Sequence, residues 1–398
     1  MKNISLSFLL FPFILSAQDI QIPGCTNFYS SNYNSDATID DGSCEIAQAT
    51  LSEFTFTNCG QEGMYGPDQT QVNNEYAGTS LANQVTSNNG IQEWVVPYTG
   101  TYSIEAIGAG SEGVRGGSGA LMFGVFELSQ GDTLNILVGQ MGRLYSSPSH
   151  SAGGGGGTFV WNSNIGTPSV SNYPLIAAGG AGGGSGSYGG LDGVDASIYT
   201  SGTVATGQLP GVGGQNGGCG SPGGVGDSNW WDGTGGAGWH EDSFNSGENN
   251  QLGFAPFSIA NGGIGGEGHG HSQFYGVGGF GGGAGCTGDG DQGTGGGGGG
   301  YSGGGGGGNS SPRGSGGGGG SYNAGANQDN IAGFNEGHGR VLISSNGFDS
   351  GCTNEIAMNY NPSAVSDNGS CLVLGCIFPM FPNYNAQANI DDGSCDMG

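Results

Sequence analysis

The chain has 398 residues, 94 of them glycine and only 9% charged, and five basic against 32 acidic residues give a net charge of −27. Such acidity lacks the basic footprint that nucleic acid or an anionic membrane surface requires. The composition fits neither an ordinary globular enzyme nor a charged disordered tail, and the 34% apolar residues fall in short blocks from which any core must be built.

Residues 1–17 read as a signal peptide: Lys2 opens it, Ile4 to Leu15 form its apolar run, and Ser16 and Ala17 supply small residues for cleavage. That run is shorter than the roughly 20 apolar residues of a membrane span, and no later stretch qualifies, so no transmembrane segment is expected. The chain then reads as secreted, extracellular or held at the cell surface.

A short unit follows over residues 24–45 and recurs at 351–372 and 375–396. Each copy opens Gly-Cys, carries Asn-Tyr-Asn (Asn32 to Asn34, Asn359 to Asn361, Asn383 to Asn385) and an alanine three residues on (Ala37, Ala364, Ala388), and closes on a second cysteine 19 residues after the first. Units this small need a staple, and secretion supplies an oxidising compartment. The expected bridges are Cys25–Cys44, Cys352–Cys371 and Cys376–Cys395, each stabilising its unit by about 3 kcal/mol through lost chain entropy. The pattern resembles a short module found repeatedly in secreted bacterial proteins. Calcium is the candidate ion of these units, with Asp40, Asp367 and Asp391 as the acids common to all three copies. The alternative is that these Asp and Asn residues only form turns.

Between the units, residues 50–346 open with β-branched or aromatic blocks bounded by Gly, Asn, Asp or Pro. These are Phe54 to Thr57, Ile91 to Pro97, Thr101 to Ile107, Ala120 to Leu128, Thr133 to Val138, Thr158 to Trp161 and Leu175 to Ala178. The turn Pro97 to Gly100 reads as a hairpin between the second and third blocks, no helical period of useful length appears, and Arg340 to Ser344 supplies a last strand. The fold class expected is all-β, an antiparallel sandwich.

Residues 179–339 are the glycine stretch. A flexible linker is one reading. Against it stand interspersed aromatic residues such as Trp239, Phe257 and Phe280, and the strand that must return afterwards. The ordered alternative is a bundle of left-handed threefold extended helices, which bond laterally because they have no internal hydrogen bonds. Collagen is excluded, since no strict three-residue glycine period exists.

Asn58-Cys59-Gly60, Gly66-Pro67, Tyr76, the run Gly90 to Tyr102, Ile104 to Ala109, Gly153 to Thr158 and Leu175 to Gly180 together resemble the glycine-rich extracellular domain of the anaplastic lymphoma kinase and leukocyte tyrosine kinase receptors. The likeness covers roughly residues 54 to 345. It implies a tumour-necrosis-factor-like sandwich with inserted polyglycine helices, and a role in binding extracellular ligands. That family carries a second cysteine near the position of Val72. Its absence leaves Cys59 without the partner the family would give it, while Cys219 and Cys286 become candidates to pair with each other.

Kinase activity does not carry over, because the chain beyond residue 17 has no lysine and no catalytic-loop or metal-binding Asp motif. No Gly-Lys-Ser/Thr follows the glycine runs, so they are not phosphate loops. The function expected is that of a secreted or surface-associated binding or adhesive module without catalysis and without a cofactor other than calcium, its partner an extracellular protein or glycan. The alternatives are a structural matrix or ice- and surface-associating protein, and an uncharacterised hydrolase. A concave aromatic patch would favour binding, a flat apolar or Thr-rich face the structural role, and convergent acids or a Ser–His pair the enzyme.

Overall fold

The computed structural model describes residues 52–144, 150–186, 190–224, 232–244, 254–268, 276–287, 293–309, 312–345, 371–379 and 381–396, with short stretches inside 22–43 and 350–367. The expected leader at 1–17 lies outside them, as do Cys25, Cys44 and Cys352. No helix among the described residues is long and apolar enough to cross a membrane.

The strands in chain order are β1 (Pro23–Gly24), β2 (Ile39–Asp40), β3 (Glu53–Phe56), β4 (Val85–Asn88), β5 (Ile91–Val95), β6 (Gly100–Ile107), β7 (Gly119–Leu128), β8 (Thr133–Leu137), β9 (Thr158–Asn162), β10 (Ile176–Ala178), β11 (Tyr322–Asn323), β12 (Ala326–Asn335), β13 (Arg340–Ser345), β14 (Ser350–Gly351), β15 (Ser366–Asp367), β16 (Leu374–Gly375) and β17 (Ile390–Asp391). One sheet has the order β11-β10-β9-β8-β5-β4, the other β12-β7-β6-β13-β3, and every pairing within these two is antiparallel. Period-two alternation turns Phe54, Phe56, Tyr102, Ile104, Met122 and Ile343 of one sheet towards Trp94, Leu134, Ile136, Val160 and Ile176 of the other. Phe54 and Phe56 meet the fully buried Trp94 at ring-centroid distances of 4.7 and 6.0 Å. The two sheets therefore share one core, as a sandwich does.

Three sequence expectations need correction. β5 and β6 do not form a hairpin: β5 pairs with β4 and β8, and β6 with β7 and β13, so the segment between them crosses from one sheet to the other. The crossing from β7 to β8 lies against it, with Val96 N–H donating to Asp132 O and Gly131 N–H to Val96 O. The hairpin is β4–β5, turned by Asn89 and Gly90 at φ of +50° and +86°, the pair of left-handed residues that a two-residue turn of this hand needs. The chain also holds a short helix, α1 (Gln69–Glu75), opened by a reciprocal capping box between Asp68 and Gln71 and buried through Val72. Finally, β11 and β12 lie inside the stretch read as polyglycine.

The outer faces of β8, β9 and β10 carry Leu137, Phe159, Trp161 and Ala177, which pack against Trp239, Ile259, Phe280 and Tyr301 of the glycine-rich region. Both faces of that sheet are thus covered, which is why β9 and β10 read as continuous apolar runs.

Within the glycine-rich region the amides bond sideways with a period of three. The N–H groups of Gly295, Gly298 and Tyr301 donate to Gly314, Gly317 and Gly320; those of Gly296 and Gly299 donate to Ala152 and Gly155; that of Gly297 donates to Thr234. The carbonyls of the same chain accept from three others: Gly307 and Gly304 on Gly295 and Gly298, Gly183 and Gly180 on Gly296 and Gly299, and Ala284 on Gly297. Six neighbours around one threefold chain, four of them met again three residues on, is the hydrogen-bond geometry of laterally packed extended helices. A Cβ at Gly300 would lie 2.4 Å from the carbonyl oxygen of Gly320, so at this spacing only glycine fits.

The terminal units repeat one small structure. Gly24 pairs in parallel with Asp40, Gly351 with Asp367, and Gly375 with Asp391. At Gly24 the nearest atoms to an added Cβ are those of Asn34 and Ala37, and at Gly375 those of Asn385 and Ala388. The repeated Gly, Asn and Ala are therefore one packing contact.

Candidate functional site

A cleft of about 530 Å³ opens where α1, the β4–β5 turn and the glycine-rich region meet; its wall includes Tyr65, Asp68, Gln69, Asn89, Asn261 and Phe280. It exists because two backbones almost touch. A Cβ on Gly66 would fall 2.6 Å from both Gly90 Cα and the Phe280 ring. With no side chain at either glycine, the ring of Phe280 becomes part of the wall.

The rim is held from several sides. Gly265 N–H donates to Met64 O, Phe280 N–H to Gly63 O, and Gln140 Nε2 to Tyr65 O at 3.0 Å, which fixes the backbone on both sides of Tyr65 while its side chain remains 58% exposed. Gln69 donates through Nε2 to Asn73 Oδ1 and Val85 O and accepts from Ser87 N–H, tying α1 to β4. Asn261 donates to Asp242 Oδ2, and Asp242 Oδ1 also accepts from Ser258.

The residues that carried the family resemblance mostly serve this support. Tyr76 Oη donates to Gln92 Oε1 at 2.6 Å and accepts from Thr57 N–H, while Gln92 Nε2 donates to Thr57 O. Burial pushes the Tyr76 hydroxyl far above its ordinary range, the neighbouring Cys59 adding to the effect. Cys59 is a buried free thiol, raised by its own burial. Val72 is buried in the same core cluster.

Cys219 and Cys286 do not form the expected disulfide; both are free. Each is fixed in a different chain of the glycine bundle. The Cys286 segment bonds to Gly276, and its thiol donates to Ser151 O, whereas the Cys219 segment lies beside Gly303 and Glu241. Desolvation, with Glu241 adding, raises the Cys219 thiol to about 11. Cys376 and Cys395 are joined at a Cα separation of 4.8 Å. Cys371 is disulfide-bonded too, its expected partner lying outside the described residues.

Asp40, Asp367 and Asp391 take equivalent backbone positions in their units. Asp391 Oδ1 accepts from Gly393 N–H at 3.0 Å, and Asp392 Oδ1 from Ser394 N–H at 2.9 Å, both turn-forming bonds. Among the described residues no three His, Cys, Asp or Glu side chains gather as metal ligands.

Near the cleft, Arg143 pairs with Glu62 and, at 3.1 Å, with Glu112; His338 Nε2 lies 3.6 Å from Glu62. The hydrogen bond and charge of Arg143 hold the Glu62 carboxyl below its ordinary range. Sequence reading missed the cleft as a whole. Gly66-Pro67 and Gly90, which the resemblance singled out, were its local signals, whereas Phe280 and Asn261 arrive from nearly 200 residues away.

No protein-family model matches this chain. Over 102 residues it is 38% identical to the leukocyte tyrosine kinase receptor of Mus musculus, a likeness that covers 24% of this chain and 12% of the receptor.

Proposed function

We propose that the chain is a secreted or surface-associated binding module without catalytic activity, which seats an extracellular protein or glycan in the cleft beside Phe280. The observation that carries the reading is the cleft itself: a concave wall with one exposed and one buried aromatic ring, rimmed by Asn89, Asn261 and Asp68, on a backbone braced by hydrogen bonds. Such a site fits a binding surface better than the flat face expected of a matrix or ice-associating protein. The likeness to a receptor, and the ligand-binding role that the family resemblance implies, support it further. Secretion draws on the apolar leader and on a formed disulfide, which belongs to an oxidising compartment. The non-catalytic reading draws on the glycine runs, whose amides donate to neighbouring carbonyls and so do not wait for a phosphate.

The test uses the intact mature chain, immobilised against extracellular proteins and glycans of its own source. A captured partner is purified and its affinity compared with that for Tyr65→Ala, which alters the cleft at an exposed position. A loss of about tenfold or more with an unchanged thermal midpoint is expected. Equal affinity in the variant would remove the cleft from the function.

A further inference from the structure

Away from the cleft, three tyrosines stack at the edge where β11 meets the glycine bundle. Tyr173 lies on Tyr322 with ring centroids 5.5 Å apart and planes 11° from parallel, and Tyr322 in turn meets Tyr301 at 4.9 Å. Tyr301 is buried while Tyr173 is 51% exposed. With one face of Tyr173 against Tyr322, about half of its surface remains open to solvent.

The base of the stack is rigid. Tyr301 N–H donates to Gly320 O, and Tyr322 itself pairs with Ala177 of β10. The loop that carries Tyr173 is clamped by its neighbour: Asn172 Nδ2 donates to Ile165 O and Thr167 O, and Trp239 Nε1 donates to Asn172 O at 3.0 Å. Tyr173 is thus held in place before any ligand arrives, which lowers the entropy lost on binding. The same loop carries the hydroxyls of half-buried Ser169 and exposed Ser171, 3.1 Å apart.

We propose that the Tyr173–Tyr322 stack is a second binding site, a platform for the pyranose rings of a neutral glycan, independent of the cleft. A flat aromatic face takes flat partners: a nucleobase, a proline ring, or the C–H face of a sugar. Nucleic acid is rejected by the charge of −27. Polyproline segments dock in grooves between aromatic walls, whereas these two rings are stacked and offer one face. A sugar ring matches the whole set, its C–H face on Tyr173 and its hydroxyls towards the phenol and serine hydroxyls, which donate and accept without charge. The net charge also selects against sulfated or uronic glycans.

The experiment measures retention of the intact mature chain on cellulose, chitin and β-1,3-glucan, with heparin and a polyproline peptide as controls. Binding to at least one neutral polysaccharide is expected, and none to heparin. Tyr173→Ala should weaken it by about tenfold and Tyr173→Phe by much less, because the ring face supplies the contact. Val114→Ala, at an exposed position in neither site, should leave it unchanged, and all variants should keep the wild-type thermal midpoint. No retention on any neutral polysaccharide, undiminished retention of Tyr173→Ala, an equal loss with Val114→Ala, or polyproline binding at Tyr173 would each overturn the proposal.

Discussion

Gly298 lies at the centre of the glycine bundle, and replacing it with alanine tests the lattice directly. A Cβ there would sit 2.2 Å from Gly180 O and 2.7 Å from Ala181 O. Ordinary contact needs more than an ångström of further separation, so the chain through Gly180 to Gly183 must move away. That chain donates from Gly180 to Gly299 and from Gly183 to Gly296, and both bonds lengthen or break. Two buried bonds left unmade cost about 1–3 kcal/mol each, and overpacking adds about 1–3 kcal/mol. The sum, roughly 3–9 kcal/mol, is a large part of the 5–15 kcal/mol or so that holds a typical domain folded. Denaturant unfolding of the protein measures it, with amide exchange across residues 295–320 as the local view. Gly100→Ala is the control, since nothing lies within 4 Å of its added Cβ and its φ is not in the left-handed region. If Gly298→Ala costs no more than the control, and the exchange of Gly295 to Gly320 equals that of a free peptide, the lattice reasoning is wrong.

Thiol counting checks the cysteines: Cys59, Cys219 and Cys286 should be reactive only after unfolding or at high pH, and non-reduced peptide mapping should return Cys376–Cys395 together with Cys25–Cys44 and Cys352–Cys371. Stability should hold up to alkaline pH and then fall. Folding raises Cys59, Cys219, Cys286 and Tyr76 above their ordinary values of 9.0 for thiols and 10.0 for tyrosine, so their contribution is complete below pH 9 and is lost as pH rises, for Cys219 towards about 11. Tyr76→Phe should flatten part of that alkaline fall, and an unaltered pH profile would argue against the Tyr76 contribution. For the terminal units we propose turn formation as the main role of Asp391; calorimetric titration of the mature chain with millimolar calcium is expected to give no heat, and heat that disappears in Asp391→Asn would establish calcium there.

The strands were legible because β6 to β9 are short β-branched or aromatic blocks bounded by Gly, Asn, Asp or Pro, and the ordered glycine bundle because large apolar residues interrupted it. What failed was connectivity. Pro97 to Gly100 has the composition of a hairpin turn, but composition does not say whether the chain turns back within one sheet or crosses to the next. β12 was hidden because Ala326 to Asn335 is polar and mostly exposed, with Asn327 and Gly333 in left-handed conformations at its two irregularities. Such bulges keep an edge strand from pairing further, and they erase the alternation by which a strand is found. The cleft was illegible because its wall comes from Tyr65, Asn89, Asn261 and Phe280, whose proximity is set by lateral amide bonds that leave no periodic trace in sequence.

Several chains of the bundle are strands continued: Gly153 to Gly157 run into β9, and Gly179 to Gly183 run out of β10. This continuity bears on whether the bundle folds by itself. Ordering one backbone residue costs about 1–2 kcal/mol, and a lateral hydrogen bond returns about 0.5–1.5 kcal/mol net. With one donor per residue and no side chains to bury, the glycine chains alone at best come close to balance. The deficit is met where Trp239, Ile259, Phe280 and Tyr301 pack on Leu137, Phe159 and Trp161 of the sheet, and where strands deliver their ends already aligned. A fragment of residues 179–321 cut from the chain should therefore be unfolded, its amides exchanging at the free-peptide rate, while the same residues are protected in the intact protein. Trp161→Ala in the intact chain should selectively loosen the bundle, because it removes half of a Trp161–Trp239 contact whose centroids lie 5.6 Å apart. A fragment that folds alone, or a bundle indifferent to Trp161, would mean that lateral amide bonding suffices and that the sandwich serves only to carry it.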